Sequence, residues 1–398
     1  MTKVSDRLNR LAESATLAMA RMSRELKDEG KDVIALSLGE PDFDTPEFIK
    51  EAAKQAITDN YSHYTPVPGL LELREAIVKK FKRDNNLDFT TDQIVTSTGA
   101  KQSLANLALS LLNKGDEVLL PCPYWVSYSE IIKLAEGIPV EIPSSIDSNF
   151  KITPKQLEKS ITKNTKMLIF SSPCNPSGTV YTQNELEDFG KILIKFPNII
   201  IVADEIYEHI NFTEEHFSIG RINELKNRVV TVNGVSKGFA MTGWRVGFIG
   251  APLWIAKACN KIQGQVTSAT CAVAQKATEK AMLADPKSTT LEMKKTFLRR
   301  RDLLLNELSK IPGVKCNIPQ GAFYIFPDIS YYFGKSNGKI NITNANDLCM
   351  FLLNSCHVAL VAGDAFGNPE CVRISYAASD KQLIEAAKRI QTQLNTLK

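Results

Sequence analysis

Apolar residues fall into short runs that alternate with longer helical patterns over most of the chain. The runs are rich in β-branched side chains, and the patterns between them place apolar residues three or four positions apart. Near-continuous apolar strands separated by helices indicate a mostly parallel sheet that is buried on both faces. The pattern therefore predicts an α/β fold with a large domain over residues 46–285, whose strands lie in QIVTS, DEVLLP, KMLIFSSP, NIIIVADE, RVVTVNG and RVGFIGAP.

The pattern changes at Lys287, where a long amphipathic helix is predicted over STTLEMKKTFLRRRDLLLNEL. Two strand candidates follow in GAFYIFPD and CVRISYA, and two helices are predicted in NANDLCMFLLNS and DKQLIEAAKRIQTQL. These elements indicate a smaller α+β domain, formed by residues 286–398 together with an N-terminal arm of residues 1–45. The segment VIALSLGEPDFDTP is predicted to cross between the two domains.

Composition narrows the class of protein. The chain has 398 residues, 43% hydrophobic and 23% charged, with a net charge of +4 and no basic cluster, so we expect no nucleic-acid partner. It has neither an apolar run of membrane-spanning length nor a signal-peptide pattern, so we expect no membrane partner. Eight cysteines without a CxxC pair predict reduced, buried thiols in a cytoplasmic protein, and four histidines without ligand spacing predict no metal site.

Polar residues follow several of the predicted strands, where open α/β sheets bind ligands. Asp204 ends one apolar run and precedes Tyr207 by three positions, while Asn175 lies in the loop SSPCNPSGTVY. Gly99 opens the helix start TGAKQSL, whose free N–H groups suit an anion. Each feature alone has an ordinary explanation: a helix N-cap for Asp204, turns for the two loops, and a core residue for Trp125 in PCPYWVSY.

Lys237 lies among small and apolar residues in NGVSKGFAMTGWRVG, and Arg245 follows eight positions later. Most lysines have a solvated head group, but apolar surroundings and a nearby cation disfavour the charged amine and make it nucleophilic. Such an amine suits imine formation with an aldehyde or ketone. If the aldehyde is that of pyridoxal phosphate, the site also needs a carboxylate at the ring nitrogen, an aromatic partner for the ring, and N–H donors with a cation for the phosphate.

Six motifs resemble the signatures of class I pyridoxal-phosphate aminotransferases in order and content: SLGEPDFDTP, YTPVPGLLELREAI, SPCNPSGTVY, VADEIYEH, GVSKGFAMTGWRVG and GAFYIF. The resemblance extends from about residue 14 to about residue 377. Within the family, GEPDFDTP, PYWVSY and a lysine after TGA are most similar to bacterial aspartate aminotransferases of the prokaryotic subgroup. The resemblance implies the fold-type I architecture, pyridoxal 5'-phosphate as cofactor, and a homodimer with shared active sites.

The resemblance also implies a role for each residue of the predicted site. Lys237 would bind the cofactor aldehyde and later move the proton between Cα and C4′. Asp204 would pair with the ring nitrogen, and Tyr207 and Asn175 would hydrogen-bond the phenolic oxygen. The other implied cofactor contacts are Trp125 on the ring face, Gly99, Ala100, Lys101, Ser236 and Arg245 at the phosphate, and Tyr64 from the neighbouring subunit.

For the substrate, the resemblance implies that Arg373 grips the α-carboxylate bidentately and that the backbone of Gly39 contacts it. Trp125 and Asn175 would line the same substrate pocket. Lys101 is associated with the distal carboxylate in this subgroup, and the small residues 14–16 are expected near that carboxylate as well.

Two departures separate the chain from the animal-type aspartate aminotransferases. The third position before the lysine is Gly234, where that group has a serine on the phosphate, and Ser236 stands next to the lysine instead. No counterpart of the partner-subunit arginine that binds the distal carboxylate is evident. Dicarboxylate specificity therefore depends on Lys101.

The predicted function is aspartate aminotransferase, which converts L-aspartate and 2-oxoglutarate to oxaloacetate and L-glutamate by ping-pong transamination. One alternative is an aminotransferase of the same fold with glutamate/aspartate-prephenate, aromatic or alanine specificity, or a β-lyase. A second alternative, from another class, is a regulatory module that binds the cofactor without catalysis. Such modules carry an added DNA-binding domain, for which the N-terminal segment here is short, and the complete set of lysine, aspartate and arginines favours an enzyme.

Overall fold

The computed structural model describes residues 4–213 and 215–398. The helices are α1 Asp6–Asn9, α2 Ala15–Asp28, α3 Glu47–Thr58, α4 Leu71–Lys80, α5 Ala100–Leu111, α6 Ser127–Leu134, α7 Pro154–Ser160, α8 Gln183–Ile194, α9 Leu253–Val266, α10 Ala272–Leu283, α11 Pro286–Thr289, α12 Leu291–Leu308, α13 Ala345–Cys356 and α14 Asp380–Leu394. The strands are β1 Ile34–Ala35, β2 Ile94–Ser97, β3 Glu117–Pro121, β4 Ile138–Ile142, β5 Thr165–Ser171, β6 Ile200–Asp204, β7 Val229–Gly234, β8 Gly247–Gly250, β9 Tyr324–Ile325, β10 Val358–Ala359, β11 Val361–Ala362 and β12 Val372–Ser375.

A seven-stranded sheet of order β2-β8-β7-β6-β5-β3-β4 forms the centre of the molecule. Its pairs are parallel except at β8, which runs antiparallel to both neighbours. The prediction of a mostly parallel sheet is therefore confirmed, and RVGFIGAP supplies the one reversed strand. Strands β2, β3, β5, β6 and β7 point the same way, so their carboxyl ends meet at one edge.

Both faces of this sheet are covered by helices. Successive residues of β3 alternate between the faces: Val118 and Leu120 pack in the cluster that holds Leu104 of α5, whereas Leu119 packs in the cluster that holds Leu186 of α8. All three strand residues are fully buried. Burial on both faces explains why the strands read as continuous apolar runs rather than as alternating ones.

A second set of small sheets is built mainly from the C-terminal third of the chain. Strands β11, β12 and β9 form an antiparallel sheet, and β1 pairs in parallel with β10. Helices α12, α13 and α14 pack around them through an apolar cluster that includes Phe297, Leu352 and Leu383. The predicted strand GAFYIFPD is shorter than expected, because only β9 is paired as a strand and its ends form isolated bridges.

Residues 33–46 connect these sheets to the central one. Ile34 and Ala35 pair with β10, and eleven residues after Ile34 the Thr45 hydroxyl donates 2.8 Å to the carbonyl oxygen of Ala240. The predicted domain boundaries at residues 46 and 286 stay a prediction.

The structure bears on the membrane and cysteine expectations. No helix within the described ranges is long and apolar enough to cross a membrane. All eight cysteines are free, but the prediction that they are buried is wrong for Cys271, which is exposed, and only partly right for Cys316 and Cys356. Cys271 is the residue immediately before α10, at the exposed start of that helix.

Candidate active site

The carboxyl ends of the parallel strands open into a cavity of about 270 Å³. Strand β6 brings Asp204 to it, the loop after β7 brings Lys237, and the start of α5 brings Ala100. The sequence-predicted residues that line this one cavity are Gly39, Ala100, Lys101, Trp125, Asn175, Asp204, Tyr207, Ser236, Lys237, Arg245 and Arg373, together with Ser14 and Thr16.

Lys237 and Arg245 belong to one connection between adjacent strands. Gly234, the last residue of β7, pairs with Gly247, the first of β8, and the intervening loop carries both cations to the same edge of the sheet. The Lys237 ammonium donates 2.5 Å to the carbonyl oxygen of Gly39. Burial lowers the pKa of Lys237 to about 8, with the Glu40 carboxylate opposing the shift. The amine is therefore neutral in a useful fraction near physiological pH.

Asp204 is a buried carboxylate, only 5% exposed. The Tyr128 hydroxyl donates 2.6 Å to its Oδ2, and the backbone N–H of Ile206 donates 3.2 Å to its Oδ1. Burial raises the pKa of Asp204 to about 6, although the hydrogen bond from Tyr128 lowers it. Asp204 has no ion-pair partner among the described residues, so its charge is available for a cation in the cavity.

Gly99 lies against Arg245, which lines the cavity. A Cβ on Gly99 would lie 2.2 Å from Nη2 of Arg245, and Gly99 has a positive φ of 81°. Ala100 and Lys101 are the first two residues of α5, so their N–H groups have no intrahelical acceptor. Arg245 forms no ion pair within the described ranges. Its Nη1 donates 2.8 Å to the carbonyl oxygen of Thr242, which leaves its charge unpaired. The helix N-terminus and this guanidinium together make an anion site.

Arg373 is 1% exposed, yet it has no carboxylate partner in the part of the chain that the structure describes. Its Nη1 donates 2.9 Å to Oδ1 of Asn175, and its Nη2 donates 2.5 Å to the carbonyl oxygen of Ser37. Nη2 also donates 3.4 Å to the hydroxyl of Thr16, whereas Nε has no acceptor in the structure. Burying an arginine without an anion is costly, so this geometry suits an incoming carboxylate.

Tyr207 and Asn175 meet on the same side of the cavity. The Asn175 amide lies 3.5 Å from the Tyr207 hydroxyl, which is 2.8 Å from the hydroxyl of Tyr324. Burial raises the pKa of Tyr207 well above its usual value, so its hydroxyl remains a donor. Tyr324 and Tyr128 also line the cavity and were not singled out from the sequence.

Lys101 lies with its ammonium 4.9 Å from the centre of the Trp125 ring. Burial lowers the pKa of Lys101, and the charge of Arg245 adds to the effect. The Trp125 ring contacts Tyr128 edge to face, with ring centres 5.5 Å apart. These contacts fix the indole at the cavity wall beside a cation that has no carboxylate partner among the described residues.

Tyr64, Ser236 and Gly234 lie in three different environments. Tyr64 is 99% exposed and does not line the cavity of its own chain. Ser236 is buried at the cavity wall. Gly234 cannot be replaced by a serine in this backbone, because a Cβ would lie 2.9 Å from Cα of Gly247. The close pairing of β7 and β8 thus explains why this position departs from the animal-type pattern.

A buried charge cluster outside the cavity lining was not found from the sequence. The Lys80 ammonium forms an ion pair with Glu208 and donates 2.5 Å to Oδ1 of Asn85. Burial raises the pKa of Glu208, but Lys80 and two histidines lower it to about 2. The cluster's members come from two segments, residues 80–85 and 205–216, and only the fold brings the two together: Lys80, Asp84, Asn85, Glu205, Glu208, His209 and His216.

The residues of the cavity fit pyridoxal phosphate. Asp204 offers an unpaired buried carboxylate for a protonated ring nitrogen, and Lys237 offers an amine of lowered pKa for the aldehyde. The start of α5 and Arg245 offer donors for a phosphate, and a side chain at Gly99 would displace that arginine. Trp125 supplies an aromatic wall.

The chain is similar to known aminotransferases over its whole length. A family model described as "Aminotransferase class I and II" matches residues 31–390. The bifunctional aspartate aminotransferase and glutamate/aspartate-prephenate aminotransferase of Petunia hybrida is 45% identical over 399 residues, which are 99% of this chain and 83% of that protein. The aspartate/prephenate aminotransferase of Nitrosomonas europaea is 44% identical over 397 residues, covering 99% of this chain and 100% of that protein.

A solved structure has the same architecture. The aspartate aminotransferase from Rhizobium meliloti matches with a TM-score of 0.96 at 40% sequence identity, and the match covers 100% of both chains. The match therefore includes the central sheet, the smaller sheets and the cavity between them, and it confirms the predicted fold. The chain belongs to the class I and II aminotransferases, enzymes that use pyridoxal 5'-phosphate as their cofactor.

Proposed function

We propose that the chain is an aspartate aminotransferase, which transfers the amino group of L-aspartate to 2-oxoglutarate. The observation that carries the proposal is Arg373, a buried cation without an anionic partner among the described residues, in the same cavity as Lys237. A second cation, Lys101, lies in that cavity and suits the second carboxylate of a dicarboxylic acid. The names of the Petunia hybrida and Nitrosomonas europaea relatives support the same substrate class.

Arg373 binds the α-carboxylate in this proposal. Its fork of N–H donors matches a carboxylate bidentately, and Nε has a free donor. Binding replaces part of its contact with Asn175, whose amide then serves the phenolic oxygen of the cofactor together with Tyr207. Gly39 lines the cavity beside Lys237 and has no side chain that would obstruct the substrate.

Lys237 moves the proton between the substrate Cα and the cofactor carbon. When bound, pyridoxal phosphate supplies an electron sink for the electron pair released at Cα. The pKa of Lys237 is lowered to about 8, so a large fraction of the side chain is already the neutral amine near pH 8. The neutral amine can accept the proton from Cα as a general base. Asp204 holds a proton on the ring nitrogen, because a buried carboxylate favours a cation beside it.

Lys101 is proposed to bind the distal carboxylate. Its ammonium is partly desolvated over Trp125, so an anion placed there gains more than it would at an exposed lysine. Ser14 and Thr16 line the same part of the cavity and provide hydroxyl donors from the N-terminal segment.

We also propose a homodimer in which Tyr64 reaches the phosphate of the neighbouring active site. Its near-complete exposure in the single chain is consistent with this role, because the phenol is free to contact a partner subunit. Sedimentation equilibrium of the purified protein tests the dimer. A cytoplasmic location remains a prediction from the cysteine pattern.

Prephenate, a 2-oxo acid, is the second candidate amino-group acceptor. Both relatives named above carry prephenate activity in their names, and this observation alone favours it. Prephenate presents two carboxylates, so Arg373 and Lys101 would serve it as they serve aspartate.

The cofactor-loaded protein mixed with single amino acids tests the proposal. Aspartate and glutamate are expected to change the absorbance of the bound cofactor in the absence of any oxo acid, and alanine and phenylalanine to do so far more slowly. If alanine or an aromatic amino acid reacted and aspartate did not, the proposed substrate class would be wrong. Adding prephenate after the aspartate half-reaction then distinguishes the two acceptors.

A further inference from the structure

Four buried polar side chains form a closed ring at the wall of the cavity. Arg373 Nη1 donates 2.9 Å to Asn175, whose amide lies 3.5 Å from the Tyr207 hydroxyl. The Tyr207 hydroxyl is 2.8 Å from the hydroxyl of Tyr324, and the Arg373 guanidinium lies 4.7 Å from the centre of the Tyr324 ring. Tyr324 thus contacts both the residue proposed for the cofactor oxygen and the residue proposed for the substrate carboxylate.

Tyr324 is fully buried and has little freedom to make other contacts. It lies on β9, whose neighbour β12 carries Arg373. A Cβ on Gly39 would lie 2.2 Å from its hydroxyl oxygen, so the chain passes directly against the phenol. Within the described ranges the Tyr207 hydroxyl is the one hydrogen-bond partner of that phenol. The Tyr207 oxygen is therefore the single acceptor, among the described residues, for the hydroxyl proton of Tyr324.

We propose that Tyr324 is a positioning residue with two separable functions, in which its hydroxyl aims the Tyr207 proton at the cofactor oxygen and its ring face holds the Arg373 guanidinium. The proposal rests on the proposed function, because it assigns Tyr207 and Arg373 to cofactor and substrate.

The hydroxyl function depends on the direction of the hydrogen bond between the two phenols, in which either hydroxyl could be the donor. We take Tyr324 as the donor, because the Tyr207 oxygen is its one acceptor among the described residues. Tyr207 then has its own proton free to donate into the cavity, and the two hydrogen bonds polarise one another. The Arg373 charge over the Tyr324 ring strengthens that donor, and it offsets part of the rise that burial causes in the pKa of Tyr324.

The other charged or titratable groups that act on these residues come from separate elements, and the Tyr324 variants leave them unchanged. They are Asp204, Lys237 and Tyr376.

The ring function follows from the environment of Arg373. The guanidinium stacks between Tyr324 and Phe366, with ring centres 4.7 and 4.9 Å away. Aromatic faces stabilise a desolvated cation and fix the plane of its fork. The phenyl ring alone suffices for this function, so the two functions can be separated by substitution.

The test compares Tyr324→Phe and Tyr324→Leu in the cofactor-loaded protein without any amino donor. The pH midpoint of the cofactor absorbance is expected to rise by about 0.5–1 unit in both variants, since the oxygen loses part of its donor. The KM of whichever amino donor the enzyme accepts is expected to stay within about twofold in Tyr324→Phe, and to rise about tenfold in Tyr324→Leu. Tyr376→Phe is the matched control, since this buried phenol donates 3.1 Å to the carbonyl oxygen of Ala322.

A double variant keeps the test independent of folding effects. If Tyr324 acts through Tyr207, Tyr324→Phe adds no midpoint shift to a Tyr207→Phe protein. An unchanged or lowered midpoint in Tyr324→Phe, or an equal further shift in the Tyr207→Phe background, overturns the hydroxyl function. A KM that rises equally in both Tyr324 variants overturns the ring function. The pH midpoint is measured without any amino donor. It therefore still tests Tyr324 if the enzyme turns out not to use aspartate and the proposed function is wrong.

Discussion

The Tyr128 hydroxyl donates a 2.6 Å hydrogen bond to Oδ2 of Asp204, a carboxylate that burial would otherwise keep protonated over a wider pH range. Burial alone disfavours the charge that the proposed chemistry needs at the ring nitrogen. The hydrogen bonds from Tyr128 and from the N–H of Ile206 favour that charge. The site thus holds a carboxylate that is unfavourable without a cation beside it.

Asp204→Asn is expected to stabilise the cofactor-free protein at about pH 8 by about 3 kcal/mol and to change its stability little at about pH 4. The pKa of Asp204 is raised from 3.8 to about 6 on folding, so the wild-type protein loses stability as the pH rises through this window. The amide has no proton to lose; its oxygen can accept from the N–H of Ile206, and its NH2 can donate to the Tyr128 oxygen in a reversed hydrogen bond. Urea unfolding at the two pH values measures the difference; an equal effect at both would contradict the account.

Arg373→Lys is expected to lower kcat/KM for aspartate about 100- to 1000-fold, mainly through KM. Lysine keeps the charge, but it cannot present two parallel donors to a carboxylate or replace the contacts with Asn175 and Ser37. Steady-state kinetics of wild type, Arg373→Lys and a control variant provide the measurement. Arg389→Lys is the control, since Arg389 binds Asp32 and Glu385 away from the cavity; a similar loss there would point to a general effect on the fold.

Lys101→Gln is expected to raise the KM for aspartate about tenfold or more while changing the slow reaction with alanine by less than about threefold. The reason is that alanine has no distal carboxylate for the Lys101 ammonium to bind. Lys114→Gln changes an exposed lysine outside the cavity and serves as the control. Equal effects of Lys101→Gln on both amino acids would show that Lys101 acts on the cofactor phosphate instead.

Gly99→Ala is expected to weaken cofactor binding about tenfold or more and to destabilise the cofactor-free protein by about 1 kcal/mol. The new Cβ would displace the Arg245 guanidinium, and the positive φ of 81° disfavours any side chain. Cofactor dissociation constants from absorbance titration provide the measurement. Gly243→Ala is the control because its Cβ would meet no atom within 4 Å; equal affinities in the two variants would contradict the phosphate assignment.

The part of the site at strand ends could be predicted from the sequence. Asp204, Lys237 and Gly99 each follow a short apolar run, and the carboxyl ends of parallel strands converge, so local pattern and a topological rule suffice. Helix α14 was predicted with its observed bounds because Ser379 caps it with a capping box and the apolar spacing is regular.

The rest depends on contacts between distant positions. Tyr128 meets Asp204 across 76 positions and Tyr324 meets Tyr207 across 117, and no local pattern encodes such contacts. The edge strand β4 was missed because Pro139 interrupts it and only part of it is buried. Lys80 reads as a surface lysine in the sequence, and only the fold brings Glu208 to it.

The central claim is that Lys237 is the residue that holds the cofactor, and borohydride reduction of the cofactor-loaded protein followed by peptide mass spectrometry tests it most directly. The cavity contains a second lysine, Lys101, so the experiment has a built-in alternative. The account predicts that the cofactor mass is found on the peptide that contains Lys237. In Lys237→Ala both this label and turnover are expected to be lost, whereas Lys101→Gln is expected to keep the label on Lys237. Labelling of Lys101, or labelling and turnover that survive in Lys237→Ala, would contradict the account.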